Sequence, residues 1–154
     1  MHLLSENNRI YLEQAAFIAK HSCCLRAKCG AVVVKNGNVI GQGWNSPPGN
    51  VCVQKCLKDD LPNKFKSDKT CCIHAEDRAV RDALARAPDE IKGSQLFFIR
   101  LDRGAMQKAG KPYCTMCSKL ALDVGIKEFV LLHENGITAY SSEEYNTLSF
   151  RHAE

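Results

Sequence analysis

This sequence predicts an α/β fold, a three-layer α/β/α sandwich around a mixed central sheet of about five strands. Two observations carry that prediction. Apolar, β-branched runs alternate with stretches of helical periodicity, an order that calls for crossover helices and a sheet covered on both faces. Asn36-Gly37 between two apolar runs adds an antiparallel hairpin, so the sheet is mixed rather than all-parallel. A chain of 154 residues suffices for one domain with its own core, and residues 1–154 are read as a single domain.

The elements follow in order. Leu12, Ala15, Ala16, Ala19 and Cys23 recur at helical spacing, so an opening helix is expected from about Glu6 to Cys23. Gly30 to Lys35 reads as a buried strand, and Asn38 to Gly43 as its hairpin partner. Residues 44–72 form a long loop insertion carrying Pro47-Pro48-Gly49, Cys52, Cys56 and Cys71-Cys72. Loops beyond about 12–15 residues call for a functional or tethering reason. Ala75, Ala79, Val80, Ala83, Leu84 and Ala87 make the apolar stripe of a second helix that stops at Pro88. Ser94 to Leu101 is the next strand. Cys117, Leu120, Ala121 and Val124 then mark a third helix, ended by Gly125. Ile126 to Leu132 and the shorter Ile137 to Tyr140 complete the strands, and Ser141-Ser142-Glu143-Glu144 opens a tail helix.

Composition narrows the class. Charged residues are 25% of the chain and apolar ones 45%, ordinary for a globular protein. No apolar run is long enough to span a bilayer, and Met1 to Ile10 lacks the charged start and apolar middle of a secretion signal. A cytoplasmic protein without a membrane partner is expected. The formal net charge of +4 suits small anionic molecules such as nucleotides. It falls short of the dense basic stripe of a duplex binder, so nucleic acid is the weaker partner expectation. Nine cysteines without an export signal fit a reducing compartment, where thiols serve as metal ligands or as small buried apolar groups.

Chemistry concentrates in two short motifs. His74-Ala75-Glu76 opens the second helix, and Cys114-Thr115-Met116-Cys117 opens the third. His74, Cys114 and Cys117 supply three zinc ligands and leave the fourth tetrahedral position to water. Cys114 and Cys117 share a helix face at i and i+3, whereas His74 and Glu76 at i and i+2 converge only on a point off the helix end. Helix N-termini also favour thiolate over thiol. Glu76 is not needed by a closed structural zinc site, which takes four protein ligands, but it is the residue that a water-activating site requires as a proton carrier. The pattern resembles the H-x-E and C-x-x-C signature of zinc-dependent nucleobase deaminases.

A family resemblance extends beyond these motifs. Cys24-Leu-Arg-Ala-Lys-Cys-Gly-Ala-Val-Val-Val34, Gly41-Gln-Gly-Trp-Asn-Ser-Pro-Pro-Gly49 and Cys72-Ile-His-Ala-Glu76 resemble the deoxycytidylate (dCMP) deaminases, within the cytidine and deoxycytidylate deaminase superfamily. The likeness covers roughly residues 10–140 in one motif order. It implies zinc on His74, Cys114 and Cys117 and Glu76 as the proton shuttle; Asn45 is either a contact to the nucleotide sugar or a turn residue before Pro47, and Trp44, the only tryptophan, either an aromatic wall of the pocket or a core residue. Ala75, between ligand and acid, is placed to touch the base through its backbone. The family also implies a homo-oligomer. Two positions depart from its pattern: Tyr113 intervenes between Pro112 and Cys114, and Arg78 stands where Asn is common two residues after the glutamate. Arg78 either reads a phosphate or pairs with Asp77 or Asp82.

The activity implied is hydrolytic deamination of a cytosine nucleotide, dCMP to dUMP, with ammonia released. Water attacks C4 of the pyrimidine while Glu76 carries its proton to N3 and then assists departure of the amine. Three other readings stand beside it. Cys-Thr-Met-Cys is similar to the second motif of tRNA adenosine and guanine deaminases, which points to another base or to single-stranded nucleic acid. A non-catalytic nucleotide-binding regulator and a structural zinc scaffold are the others, and neither needs Glu76. Some of Cys52, Cys56, Cys71 and Cys72 are further expected to hold a second, structural zinc that tethers the long loop.

Overall fold

A computed structural model describes residues 1–62 and 71–152. The strands are β1 (His2–Leu3), β2 (Lys28–Lys35), β3 (Asn38–Trp44), β4 (Gln95–Asp102), β5 (Ala105–Gln107), β6 (Glu128–His133) and β7 (Gly136–Ser141). The helices are α1 (Arg9–Ala19), α2 (Ala75–Arg86), α3 (Thr115–Val124) and α4 (Ser142–Arg151).

Ala31 to Val34 are all apolar because β2 lies inside the sheet with helices on both faces, and all four are buried. The strand order is β1-β7-β6-β4-β2-β3, with β5 paired to β4 beyond the end of β6. β4 and β6 run parallel and every other pairing is antiparallel, so the sheet is mixed. On one face Leu12, Ala15 and Ile18 of α1 cover Val32, Phe97, Ile99 and Val130. On the other, Ala79, Val80 and Ala83 of α2, Ala121 of α3 and Tyr145 of α4 cover Ala31, Val33, Leu96, Phe129 and Leu131. This is the three-layer α/β/α sandwich that the alternation predicts.

Local signals place most boundaries. Asn36 (φ 49°) and Gly37 (φ 79°) both take the left-handed conformation that a tight two-residue hairpin between right-twisting strands requires. Gly125 (φ 86°) ends α3 in the same conformation, and Ser141 caps α4 by accepting from the Glu144 amide at 3.1 Å.

Three expectations need correction. The opening helix is shorter than Glu6 to Cys23: Glu6–Asn8 is a 3-10 turn and α1 ends at Ala19. The Ser22 hydroxyl shares its one proton between the backbone carbonyl of Asn45 at 2.5 Å and its Oδ1 at 2.7 Å, a contact made where the chain has left the helical path. The sheet has seven strands rather than about five. β1 is only two residues long, and β5 arises from a second tight hairpin, with Arg103 (φ 50°) and Gly104 (φ 82°) at its turn.

The proposed second zinc also finds no ligand set. Cys52 forms a disulfide with Cys23, Cys72 interacts with Cys24, and Cys56 lies beside Arg26. Among the described residues, the only group of three or more His, Cys, Asp or Glu side chains able to hold one ion is elsewhere, at His74, Cys114 and Cys117. The loop is tethered in other ways: by the disulfide, by Arg26 pairing with Asp59, and by backbone bonds between Ser46 and Ile73 at 2.9 and 3.3 Å. Its residues 63–70 lie outside the described residues.

Candidate active site

Parallel β4 and β6 bring the N-terminal ends of α2 and α3 to the same edge of the sheet. His74 occupies the N-cap position of α2 and Cys114 that of α3. Their side chains leave the helix starts rather than the helix sides, which is why the i, i+2 spacing of His74 and Glu76 can serve one point in space. Cys114 Sγ lies 3.1 Å from Cys117 Sγ and 3.3 Å from His74 Nδ1, and His74 Nδ1 lies 3.4 Å from Cys117 Sγ. A tetrahedral zinc with Zn–S of about 2.3 Å and Zn–N of about 2.0–2.1 Å has ligand edges of about 3.5–3.8 Å. The three edges are a few tenths of an ångström shorter than that range, and the one nitrogen and two sulfurs are the donors that zinc prefers. The three side chains are positioned to ligate a single zinc.

Protonation in this cluster fits a metal site. The Cys114 thiol is pulled down to about 4 by the hydrogen bond from Cys117, helped by His74 and by the Cys117 amide donating to its sulfur at 3.4 Å. Cys117 is pushed up by that same bond and by burial. Hydrogen bonding to Cys114 raises His74 to about 9. A metal ion replaces the shared protons, so zinc uptake and proton release are linked here.

Glu76 sits in the first turn of α2 with 6% of its surface exposed. Burial raises its carboxyl to about 7, although His74 opposes the shift. A carboxyl held near neutrality can both accept and return a proton at working pH, and a buried, ion-adjacent acid is otherwise costly to keep.

These groups line a cavity of about 430 Å³, together with Asn45, Ala75, Tyr113 and Tyr145. That volume accommodates a small ligand. Among the sequence-predicted residues, His74, Ala75, Glu76, Cys114 and Asn45 therefore share one cavity, and Cys117 stands in the ligand triangle behind it. Asn45 is only 8% exposed. Its Oδ1 accepts from the Cys29 amide at 2.8 Å and from the Ser22 hydroxyl at 2.7 Å, and its Nδ2 donates to the Ala27 carbonyl at 2.8 Å.

Trp44 does not line this cavity. It packs with the α1 layer, its ring 5.2 Å from that of His21, because successive side chains of an extended strand alternate faces and Asn45 takes the inward one. Arg78 departs from both of its expected roles. It donates to the backbone carbonyls of Ser46 at 3.3 Å and Pro47 at 3.1 Å, while Asp77 is bound by Arg81 and Asp82 accepts from the Gln42 amide. The Arg78 side chain fastens the start of the long loop to α2.

Residues 5–133 match the family described as the cytidine and deoxycytidylate deaminase zinc-binding region. The chain belongs to this family.

Deaminases of this family with curated descriptions include a deoxycytidylate deaminase of Mycobacterium phage D29, 31% identical over 134 residues, covering 81% of this chain and 93% of that one. Another is the deoxycytidylate deaminase of Schizosaccharomyces pombe, 28% identical over 127 residues. That match takes in 78% of this chain but 35% of the yeast protein, and the same share holds for the Saccharomyces cerevisiae enzyme, so this chain spans about a third of each yeast relative. Among solved structures, the dCMP deaminase of cyanophage S-TIM5 in complex with dCMP and dUMP is 30% identical, with a TM-score of 0.59 over 83% of this chain and 82% of that one. Cytidine deaminase from Burkholderia pseudomallei shares the fold, with a TM-score of 0.58 at 18% identity.

Several cavity residues escape motif reading. Tyr145 reaches the cavity from α4, where its ring stacks on Phe129 at 4.0 Å between centroids. Nothing at its sequence position marks it, because only the packing of α4 on α3 brings it there. Arg100, Gln107, Lys108 and Lys111 arrive through the β4–β5 hairpin. Gly104 between two apolar-polar runs was the available signal for that turn.

Proposed function

We propose that this protein hydrolytically deaminates a cytosine nucleotide, dCMP to dUMP, releasing ammonia. The observation that carries the reading is the buried Glu76 carboxyl beside the His74, Cys114 and Cys117 triangle, in a cavity large enough for one nucleobase. The relatives described as deoxycytidylate deaminases, and the S-TIM5 enzyme in complex with dCMP and dUMP, support the substrate.

His74, Cys114 and Cys117 hold the zinc, which when bound supplies a water activated near neutral pH. Glu76 does the proton work. Its carboxylate takes a proton from the attacking water and delivers it to N3 as the new C4–O bond forms. It then moves the remaining hydroxyl proton to the amine, so that the C4–N bond breaks with ammonia leaving and a carbonyl at C4. One water is consumed, and both of its protons are accounted for. Asn45 and the Ala75 backbone orient the nucleotide at the cavity wall.

The same proposal treats residues 1–154 as one deaminase domain with an insertion at 44–72. It also assigns the protein to the cytoplasm, although the Cys23–Cys52 disulfide departs from the all-thiol state expected of a reducing compartment. No helix among the described residues is long and apolar enough to cross a membrane. Self-association is part of the reading too, supported by the exposed Ile10 and Phe17 of α1.

A panel of ammonia-release assays tests the substrate: dCMP, CMP, deoxycytidine, adenosine and guanosine nucleotides, and a cytosine-containing single strand. The proposal expects dCMP to give the highest kcat/KM. Faster turnover of the single strand or of a purine nucleotide contradicts it.

A further inference from the structure

A disulfide in a protein of a reducing compartment is as a rule transient, either catalytic or redox-sensing. Resting on the reading of the cavity as a nucleotide deaminase site, we propose that Cys23 and Cys52 are a reversible thiol–disulfide exchange site for low-molecular-weight disulfides such as oxidised glutathione, and that closing it fixes the cavity wall at Asn45.

Cysteines gather where the long loop leaves and rejoins the fold. Cys23 is bonded to Cys52, their Cα atoms 5.6 Å apart, and the next residue, Cys24, hydrogen-bonds Cys72, which also bonds Cys71. Two adjacent residues between α1 and β2 thus hold an early and a late point of the loop. Cys52 is exposed, so a small disulfide or thiol in solution reaches it.

The bond also completes a closed circuit through the cavity wall. Ser22, the neighbour of Cys23, bonds both oxygens of Asn45 through its hydroxyl, which accepts in turn from the Cys24 amide at 3.2 Å. From Asn45 the chain passes to Ser46, whose hydroxyl donates to Asn50 Oδ1 at 2.5 Å, two residues before Cys52. The Cys52–Cys23 bond closes the ring. Asn45 lines the cavity, and Ser46 is paired with Ile73, the residue before His74. With the disulfide open, that ring is held by hydrogen bonds alone at a segment that the cavity depends on.

Closure proceeds by two exchanges. The Cys52 thiolate attacks one sulfur of the small disulfide, and a small thiolate leaves. The Cys23 thiolate then attacks the Cys52 sulfur of the mixed disulfide and expels the second. The protein gives up two electrons and two protons, and the small disulfide takes them to become two thiols. Excess small thiol drives the same steps in reverse.

The test equilibrates the zinc-loaded protein in buffers of graded reduced-to-oxidised glutathione ratio. Alkylation and peptide mass spectrometry then map the linkages, with zinc content, tryptic cleavage after Lys55 and Lys58, and dCMP kinetics read on the same samples. The Cys23–Cys52 linkage should form and open reversibly, with about one zinc per chain throughout. Opening should speed cleavage at the two lysines by about tenfold or more, since the cross-link no longer restrains the loop. It should raise KM for dCMP by about 3- to 30-fold and leave kcat within about threefold, because the ring positions Asn45 and not the zinc ligands or Glu76. Cys52→Ser should behave as the open form at every ratio. No linkage at any ratio, linkage of another pair in its place, or cleavage and KM that do not follow the linkage overturn the site. Zinc lost in step with the change in KM also overturns it, since oxidation of Cys114 and Cys117 then explains the change. Failure of the deaminase reading has a different signature: no ammonia from dCMP at any ratio, while linkage and cleavage still change together.

Discussion

The Asn45 amide accepts from the Cys29 amide and the Ser22 hydroxyl and donates to Ala27, so it joins the end of β3 to the chain that leads from α1 into β2. One donor hydrogen remains for a ligand in the cavity that it lines. This double service makes its removal costly in two ways. Asn45→Ala leaves a buried N–H and a carbonyl without partners, a loss of about 1–3 kcal/mol, which for a domain of this size lowers Tm by about 2–10 °C. It should also reduce kcat/KM for the nucleotide by about tenfold or more, with zinc content unaltered. Thermal melts and kinetics on the same preparation check both. An unaltered melt together with unaltered kinetics excludes both roles. At this scale the meeting of His74, Cys114 and Cys117 beside Glu76 was legible in the sequence, because the two motifs together match a known zinc signature. The wall-forming role of Trp44 was not, since strand alternation fixes which of two adjacent residues faces inward, and the phase of that alternation is not written in a motif.

Among the elements, the approach of α2 to β3 matters most for the chemistry, because α2 carries Glu76 in its first turn. A Cβ on Gly43 would fall 2.5 Å from the Ala79 amide nitrogen and 2.7 Å from the Ala75 carbonyl oxygen, both backbone atoms. A Cβ on Gly41 would meet the Ala79 carbonyl oxygen at 2.4 Å, one strand alternation away and further along the helix. These glycines are there to let helix and strand touch. Gly43→Ala should push the first turn of α2 away from the sheet, costing about 1–3 kcal/mol and displacing Glu76. Gly41→Ala should cost similar stability while disturbing the first turn less. Comparing the kcat of each variant after correction for folded fraction checks the difference, and an equal kcat in both contradicts the positioning role of Gly43. The strands and helices themselves followed from hydrophobic period and turn residues. The sequence reading missed β1 and β5 because two or three residues are too short to show a period, so their pairing comes from tertiary contact alone.

As a whole, the molecule is a sheet whose one parallel pair, β4 and β6, sets two helix starts side by side, and that arrangement brings His74, Glu76, Cys114 and Cys117 together. The layer order was readable from the sequence, since alternation of element types permits few architectures. The cysteine pairing was not: Cys23 and Cys52 are 29 residues apart, and which thiols meet depends on how the long loop folds back. Glu76→Gln, assayed on dCMP with zinc content measured on the same sample, tests the central claim most directly. The account predicts about one zinc per chain in both proteins, set by three ligands that the substitution leaves in place. It also predicts turnover lower by about 10²–10⁴-fold in the variant, the usual worth of a positioned acid–base group. A zinc-loaded Glu76→Gln protein that forms dUMP at the unaltered rate would contradict it.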